Sequence, residues 1–186
     1  MSRPPAAPNN TGTIMCGFRL RGCLDGVMFN HEPPDYHCPF CLLASGGADG
    51  INNPRTIVAR TDQALAVVSP RWWPRNHGHV LVVPTGHFEN LYDIPTVAGH
   101  AVHDLVRQVA RAMRRSYSCS GISTRQHNEP DGNQDVWHYH VHVFPRYPDD
   151  RLYESAPYAE LVSVQRRIPY AEKLRAAWGD AAPDLS

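Results

Sequence analysis

The chain carries no excess of charge: Lys and Arg total 18, and Asp and Glu total 18, over 186 residues. That balance removes the bulk electrostatic argument for a nucleic-acid partner. There is also no apolar run near the roughly 20 residues that cross a bilayer as a helix, so no membrane span is expected. The opening MSRPPAAPNNTG lacks the apolar stretch and cleavage pattern of a secretory leader. No internal repeat is present. Cysteines are few and odd in number (Cys16, Cys23, Cys38, Cys41 and Cys119), which does not fit a disulfide framework. These absences lead to the expectation of a soluble, cytoplasmic protein whose length suits one domain with tails.

The periodicities divide what remains. Residues 1–15, rich in Pro, Asn and Gly, read as a disordered tail, and residues 16–54 as loops holding four of the cysteines. RTIVAR (55–60) and ALAVV (64–68) are strand-like runs around a three-residue turn, and GHVLVVP (78–84) is a short apolar strand closed by proline. From Pro95 to Tyr117 the period becomes helical, with Val97, Ala101, Leu105, Val109 and Ala112 or Met113 on the expected apolar side. Asp104, Arg107, Arg111, Arg114 and Arg115 fall on the wet side. A further strand spans 119–125, a turn 128–133, and a short C-terminal helix is placed around 169–174. The expectation is an α+β domain over 16–150, an antiparallel sheet packed against one long helix, followed by a C-terminal extension over 151–186.

The most informative stretch is Trp137-His138-Tyr139-His140-Val141-His142-Val143-Phe144-Pro145-Arg146. Side chains alternate across a strand, so His138, His140 and His142 would share one face while Tyr139, Val141 and Val143 take the other. Three imidazoles on one face make a poor core and a good reactive surface, able to attack electrophiles, move protons and bind metal. Cys38-Pro39-Phe40-Cys41 is a C-x-x-C knuckle, which reads as zinc or as a redox pair. With no βαβ context around it and eleven histidines elsewhere, zinc is the reading taken. Cys16 and Cys23 could form a second metal pair, with free thiols the simpler reading. His100 and His103 read as helix surface or core edge, and His77 and His79 stand at the mouth of their strand.

The row His138 to Phe144 resembles the signature of the histidine triad (HIT) family, and Gly78 through Pro84 with His87, and Gly121 through Arg146, resemble blocks of its zinc-binding bacterial members, similar to the Hint and Fhit branches. The resemblance covers about Cys38 to Tyr147. It implies the HIT fold, with a zinc-stabilised N-terminal segment, and a homodimer. It further implies a nucleotide hydrolase or nucleotidyl transferase working at the α-phosphate through a covalent intermediate on His140, with His142 assisting the leaving group. Phosphoramidates, acyl-adenylates and dinucleoside polyphosphates are the substrate classes it allows. Cys38, Cys41, His87 and His138 would hold a structural Zn2+, with His31 or His37 able to replace His87. His127, Asn128, Gln134, Asp135, His79 and Trp72 are the candidate substrate contacts. The chain departs from the family at Gln126-His127-Asn128-Glu129, at Asn133-Gln134-Asp135, where a carboxylate replaces a phosphate-binding hydroxyl, and at Ser69 to Trp73, where no ribose-gripping acid stands. There Trp72, Trp73 or Arg71 could hold substrate instead. Two alternatives remain: an enzyme for another phosphorylated metabolite, and a nucleotide-binding regulatory protein with incidental catalysis.

Overall fold

A computed structural model describes residues 23–24 and 27–178. A two-residue ribbon, β1 (Cys23–Leu24) with β2 (Val27–Met28), precedes α1 (Pro39–Ala44). A five-stranded antiparallel sheet follows, built from β3 (Ile57–Arg60), β4 (Ala64–Val68), β5 (Val80–Pro84), β6 (Gly121–Gln126) and β7 (Val141–Arg146) in the order β3-β4-β5-β7-β6. Helices α2 (Thr96–Ser116) and α3 (Val164–Ala176) complete the chain. The antiparallel sheet with its long helix agrees with the expected α+β class. Among the described residues no helix is long and apolar enough to cross a membrane. Cys16 lies outside the described residues, and Cys23 is described only by its backbone, so their pairing has no structural account.

Both faces of the central strands are covered, because every residue of β4 and β5 is buried. Ala64, Ala66, Val68, Val80 and Val82 join the core under α2 and α3, and Leu65, Val67, Leu81 and Val83 pack against Phe40 and Leu43 of α1. Two-residue alternation therefore feeds two separate cores from one sheet. The stripe of α2 that meets the sheet is Ala98, Val102, Leu105, Val106, Val109, Ala112 and Met113. This corrects the start of the expected apolar face: Val97 is 69% exposed, and Ala98 and Val102 take the inward phase. Pro95 supplies no side-chain cap, and cations close the last turn at Arg114 and Arg115.

The C-terminal helix is longer than the 169–174 run and packs into the principal core through Ala171 and Leu174, with Trp178 joining just past its end. Two devices seat it. Gly78 has φ +74, and a Cβ there would meet the Tyr170 ring at 2.1 Å, so only glycine lets α3 approach the start of β5. Arg167, 1% exposed, donates to the carbonyls of Val162 and Val68 at 3.1 Å each and to that of Ile51.

The exit of β7 is held by an ion pair whose carboxylate is buried and whose guanidinium is partly exposed. Arg146 grips Asp150 with two bonds of 2.7 Å. Asp150 also accepts from Asn76 Nδ2 at 2.8 Å and from the backbone N–H groups of Tyr147 and Leu152. The Arg146 guanidinium, with these other donors, holds the Asp150 carboxyl well below the usual aspartate range. An unfolded aspartate titrates at about 3.9, so this contribution is complete above about pH 5 and fades as acid brings the pH toward the lower folded value. Asp150→Ala removes the buried acceptor shared by Arg146, Asn76 and two backbone N–H groups and is expected to lower the unfolding free energy by about 2–3 kcal/mol at neutral pH. Urea denaturation measures it, and the gap to wild type should narrow on acidification below about pH 5.

Candidate active site

The register of β7 against its neighbours places the reactive row. Leu81 of β5 and Arg125 of β6 are the Cα partners of His142. The strand begins at Val141, which corrects the expectation of one continuous strand bearing all three histidines. β6 ends opposite Val141, and Pro84 has no N–H to extend the β5 ladder. The preceding segment is held differently: Tyr139 N donates to Phe88 O at 2.6 Å, and His138 N to Val136 O at 2.8 Å. Alternation survives the change. Tyr139, Val141 and Val143 enter the α2 core, and His138 and His140 both pack at 5.5 Å from the Phe40 ring on the opposite face.

His140 is 2% exposed, and its Nδ1 lies 2.8 Å from His138 O. A carbonyl accepts only, so Nδ1 carries the proton and Nε2 keeps its lone pair. Burial lowers the pKa of His140 and favours this neutral form. His142 lies against it, with ring centroids 5.0 Å apart. Behind His142 stands His79, with Nε2 3.4 Å from His142 Nδ1 and its ring stacked on Phe144 at 4.4 Å. Burial drives the pKa of His79 down to about 3 and that of His142 well below its ordinary value. Fully buried behind His142, His79 orients that ring and does not reach the cleft, contrary to its placement as a substrate contact.

A cavity of about 250 Å³ opens in front of His140 and His142, walled by Phe40, Leu43, Val67 and Leu81. Arg167 reaches it from α3, and Asp135 with Arg71 stands at its edge. Trp72 does not line it: at 1% exposure it belongs to the core, stacked on His77 at 5.0 Å. This corrects Trp72 as a substrate contact, and it is Trp73 that turns toward the histidines. Asn128 and Gln134 are engaged within the protein. Asn128 Oδ1 accepts from Leu91 N and Gln126 Nε2, and Gln134 bonds Glu129 N, Glu89 O and Val136 O. They shape the turn before the histidine row. His127 and Asp135 do border the cleft, with Asp135 Oδ2 4.0 Å from Arg71 Nε.

Below this site one ligand atom from each of Cys38, Cys41, His87 and His138 converges, all within 4.8 Å of one another. Cys38 is the N-cap of α1 with Pro39 at the first helical position, so a single turn brings Cys41 back beside it. Sγ of Cys38 and Nδ1 of His138 are 3.2 Å apart, and Sγ of Cys41 and Nδ1 of His87 are 3.3 Å apart. These spacings match the edges of a tetrahedron with metal bonds of about 2.0–2.3 Å, so the donor set fits zinc. The outer nitrogens are anchored: His138 Nε2 to Pro84 O at 3.1 Å and His87 Nε2 to Glu32 Oε2 at 2.9 Å. His31 and His37 are outside the group, and His31 pairs with the buried Glu89.

Besides Arg167, three further participants are not apparent from the sequence. Phe40 separates the metal cluster from His140, Glu32 orients His87, and Arg125 flanks His142. Only Arg125 left a legible signal, since pairing the 121–126 run antiparallel to 141–146 sets it opposite a histidine.

Comparison with known proteins agrees with this geometry. "Protein hit" of Bacillus subtilis (strain 168) is 31% identical over 111 residues, covering 60% of this chain and 72% of that protein. A Zn-bound histidine triad family protein from Mycobacterium smegmatis superposes with a TM-score of 0.62 at 27% identity, over 76% of this chain and 93% of that one. Adenylylsulfatase HINT3 of Arabidopsis thaliana is 25% identical over 118 residues, 63% of this chain and 56% of its own length. The HIT domain matches residues 51–149, more than half of the chain, which therefore belongs to the histidine triad family.

Proposed function

We propose that the protein is a nucleotide hydrolase or nucleotidyl transferase acting at the α-phosphorus through a covalent nucleotidyl-His140 intermediate. The observation that carries this reading is the Nδ1 bond of His140 to His138 O, which leaves Nε2 unprotonated on a residue that lines the cavity. Phe40, Leu43 and Val67 offer the apolar walls a nucleobase needs. In the first step Nε2 forms a P–N bond, the bond from phosphorus to the leaving group breaks, and its electron pair departs with that group. Water, or another acceptor, then forms a P–O bond as the P–N bond breaks, and imidazole is restored. His142, steadied by His79, stands beside the leaving group and orients phosphate oxygens. The adenylylsulfatase relative supports nucleotide chemistry at this class of site.

The same reading gives Cys38, Cys41, His87 and His138 a resident Zn2+. Four protein donors leave no open position, so the bound ion supplies a cross-link rather than a Lewis acid. These ligands tie α1 to the segment that carries His140, and the Zn-bound relative from Mycobacterium smegmatis supports the assignment. A homodimer and cytoplasmic residence complete the proposal.

Two outcomes are expected. Protein prepared without added metal should contain one zinc per chain by elemental analysis, and Cys38→Ser should lose the metal and melt at a markedly lower temperature, because binding and folding are coupled. Retained zinc in that variant would remove the assignment. His140→Gly should lower kcat by about three orders of magnitude or more, while zinc content and nucleotide Kd change little. Rapid quench followed by intact-mass analysis should find the nucleotidyl adduct on wild type alone; near-normal turnover by His140→Gly would leave a binding protein instead.

A further inference from the structure

Arg125 is held beside His142 with its hydrogen-bonding capacity almost unused. The two residues are Cα partners across β6 and β7, so their side chains project from the same face. The guanidinium lies 4.8 Å from the Phe144 ring, 4.9 Å from Tyr153 and 5.5 Å from Trp73. Aromatic contacts on several sides fix its position without using its N–H groups. Nη2 makes one long bond, 3.4 Å to Leu152 O, and Nε is buried without a partner. Among the described residues no carboxylate pairs with Arg125, whereas the one carboxylate bordering this cleft, Asp135, faces Arg71 at 4.0 Å. The cleft, about 560 Å³, is continuous in its lining with the catalytic row through His142 and lies apart from the apolar walls of Leu43 and Val67. The apolar cavity and this cationic cleft thus meet at His142.

We propose that Arg125, supported by Arg71, is a leaving-group subsite that selects nucleotides joined to an oxyanion over nucleotides joined to an amine. The inference rests on His140 as the nucleophile and adds the class of substrate. When His140 Nε2 forms the P–N bond and the bridging P–O bond breaks, the electron pair stays on the departing oxygen. Negative charge grows on a group such as sulfate or phosphate, and Arg125, which lines the cleft beside His142 and has no carboxylate partner, offers that charge a fixed cation with donors to spare. No proton is required for that departure. An amine leaves only after its nitrogen is protonated, and the fixed cation of Arg125 opposes a second positive charge beside it. His142 is ill suited to supply that proton, because burial, with nearby histidines and Arg125, holds it neutral.

The test compares adenosine 5′-phosphosulfate with adenosine 5′-phosphoramidate on wild type, Arg125→Met, Arg125→Lys, Arg71→Gln and His140→Gly. Wild type should favour the phosphosulfate in kcat/KM. Arg125→Met should lose about ten- to a hundredfold on the phosphosulfate, the range for hydrogen bonds to a charged group, and gain on the phosphoramidate as the opposing cation is removed, so that the selectivity reverses. Arg125→Lys should recover part of that loss, since charge returns without the planar fork. An equal loss on both substrates, or a wild-type preference for the phosphoramidate, overturns the subsite while leaving the His140 adduct in place. If neither substrate labels His140, or His140→Gly turns both over at the wild-type rate, the proposed function fails and the subsite with it. Should Arg125→Met melt near room temperature, Arg125→Lys and Arg71→Gln carry the same comparison, and an unchanged selectivity in both overturns the proposal.

Discussion

The β5–β7 ladder is the constraint on which the other features depend. It pairs Val80 with Val143, Leu81 with His142 and Val82 with Val141. Side chains alternate with a period of two, so a slip of one residue would turn His142 into the core beneath α2 and Val143 into the cleft. Each wrong placement would be costly: a histidine would be buried among aliphatic side chains, and an apolar residue would face the reactive groove. The burial of both faces of β4 and β5 thus protects the register, and the register holds the chemistry in place.

Four histidines at this centre share one side chain and do different things, because a different neighbour occupies each second nitrogen. Pro84 O takes Nε2 of His138, which turns Nδ1 toward the cysteines. His138 O takes Nδ1 of His140, which leaves Nε2 free. His79, enclosed by Phe144 and Trp73, has only His142 to bond. Backbone carbonyls therefore assign the roles of His138 and His140, and the imidazole pair fixes His79 and His142 against each other.

Parts of the molecule outside residues 51–149 complete the site. Phe40 comes from α1, and Arg167 from α3, which docks through Gly78 and Tyr170. Neither contribution follows from local pattern. A buried arginine within a polar-looking helix reads as surface until three carbonyls from distant segments are brought around it.

The sequence by itself determined the strand and helix runs, the C-x-x-C knuckle and the alternate histidines, because spacing along a chain is a local property that periodicity reports. Residue-type chemistry then limited the row to nucleophile, proton carrier or ligand. The inward phase of α2 at Ala98, the end of the strand at Val141, the burial of Trp72 in place of Trp73, and the engagement of Asn128 and Gln134 within their own turn were decided by the tertiary structure. Each depends on which distant groups arrive to fill space or accept a hydrogen bond: the sheet under α2, the missing N–H of Pro84, the Tyr170 ring and the carbonyl of Glu89. Those encounters are properties of the folded chain, because only packing brings such groups together.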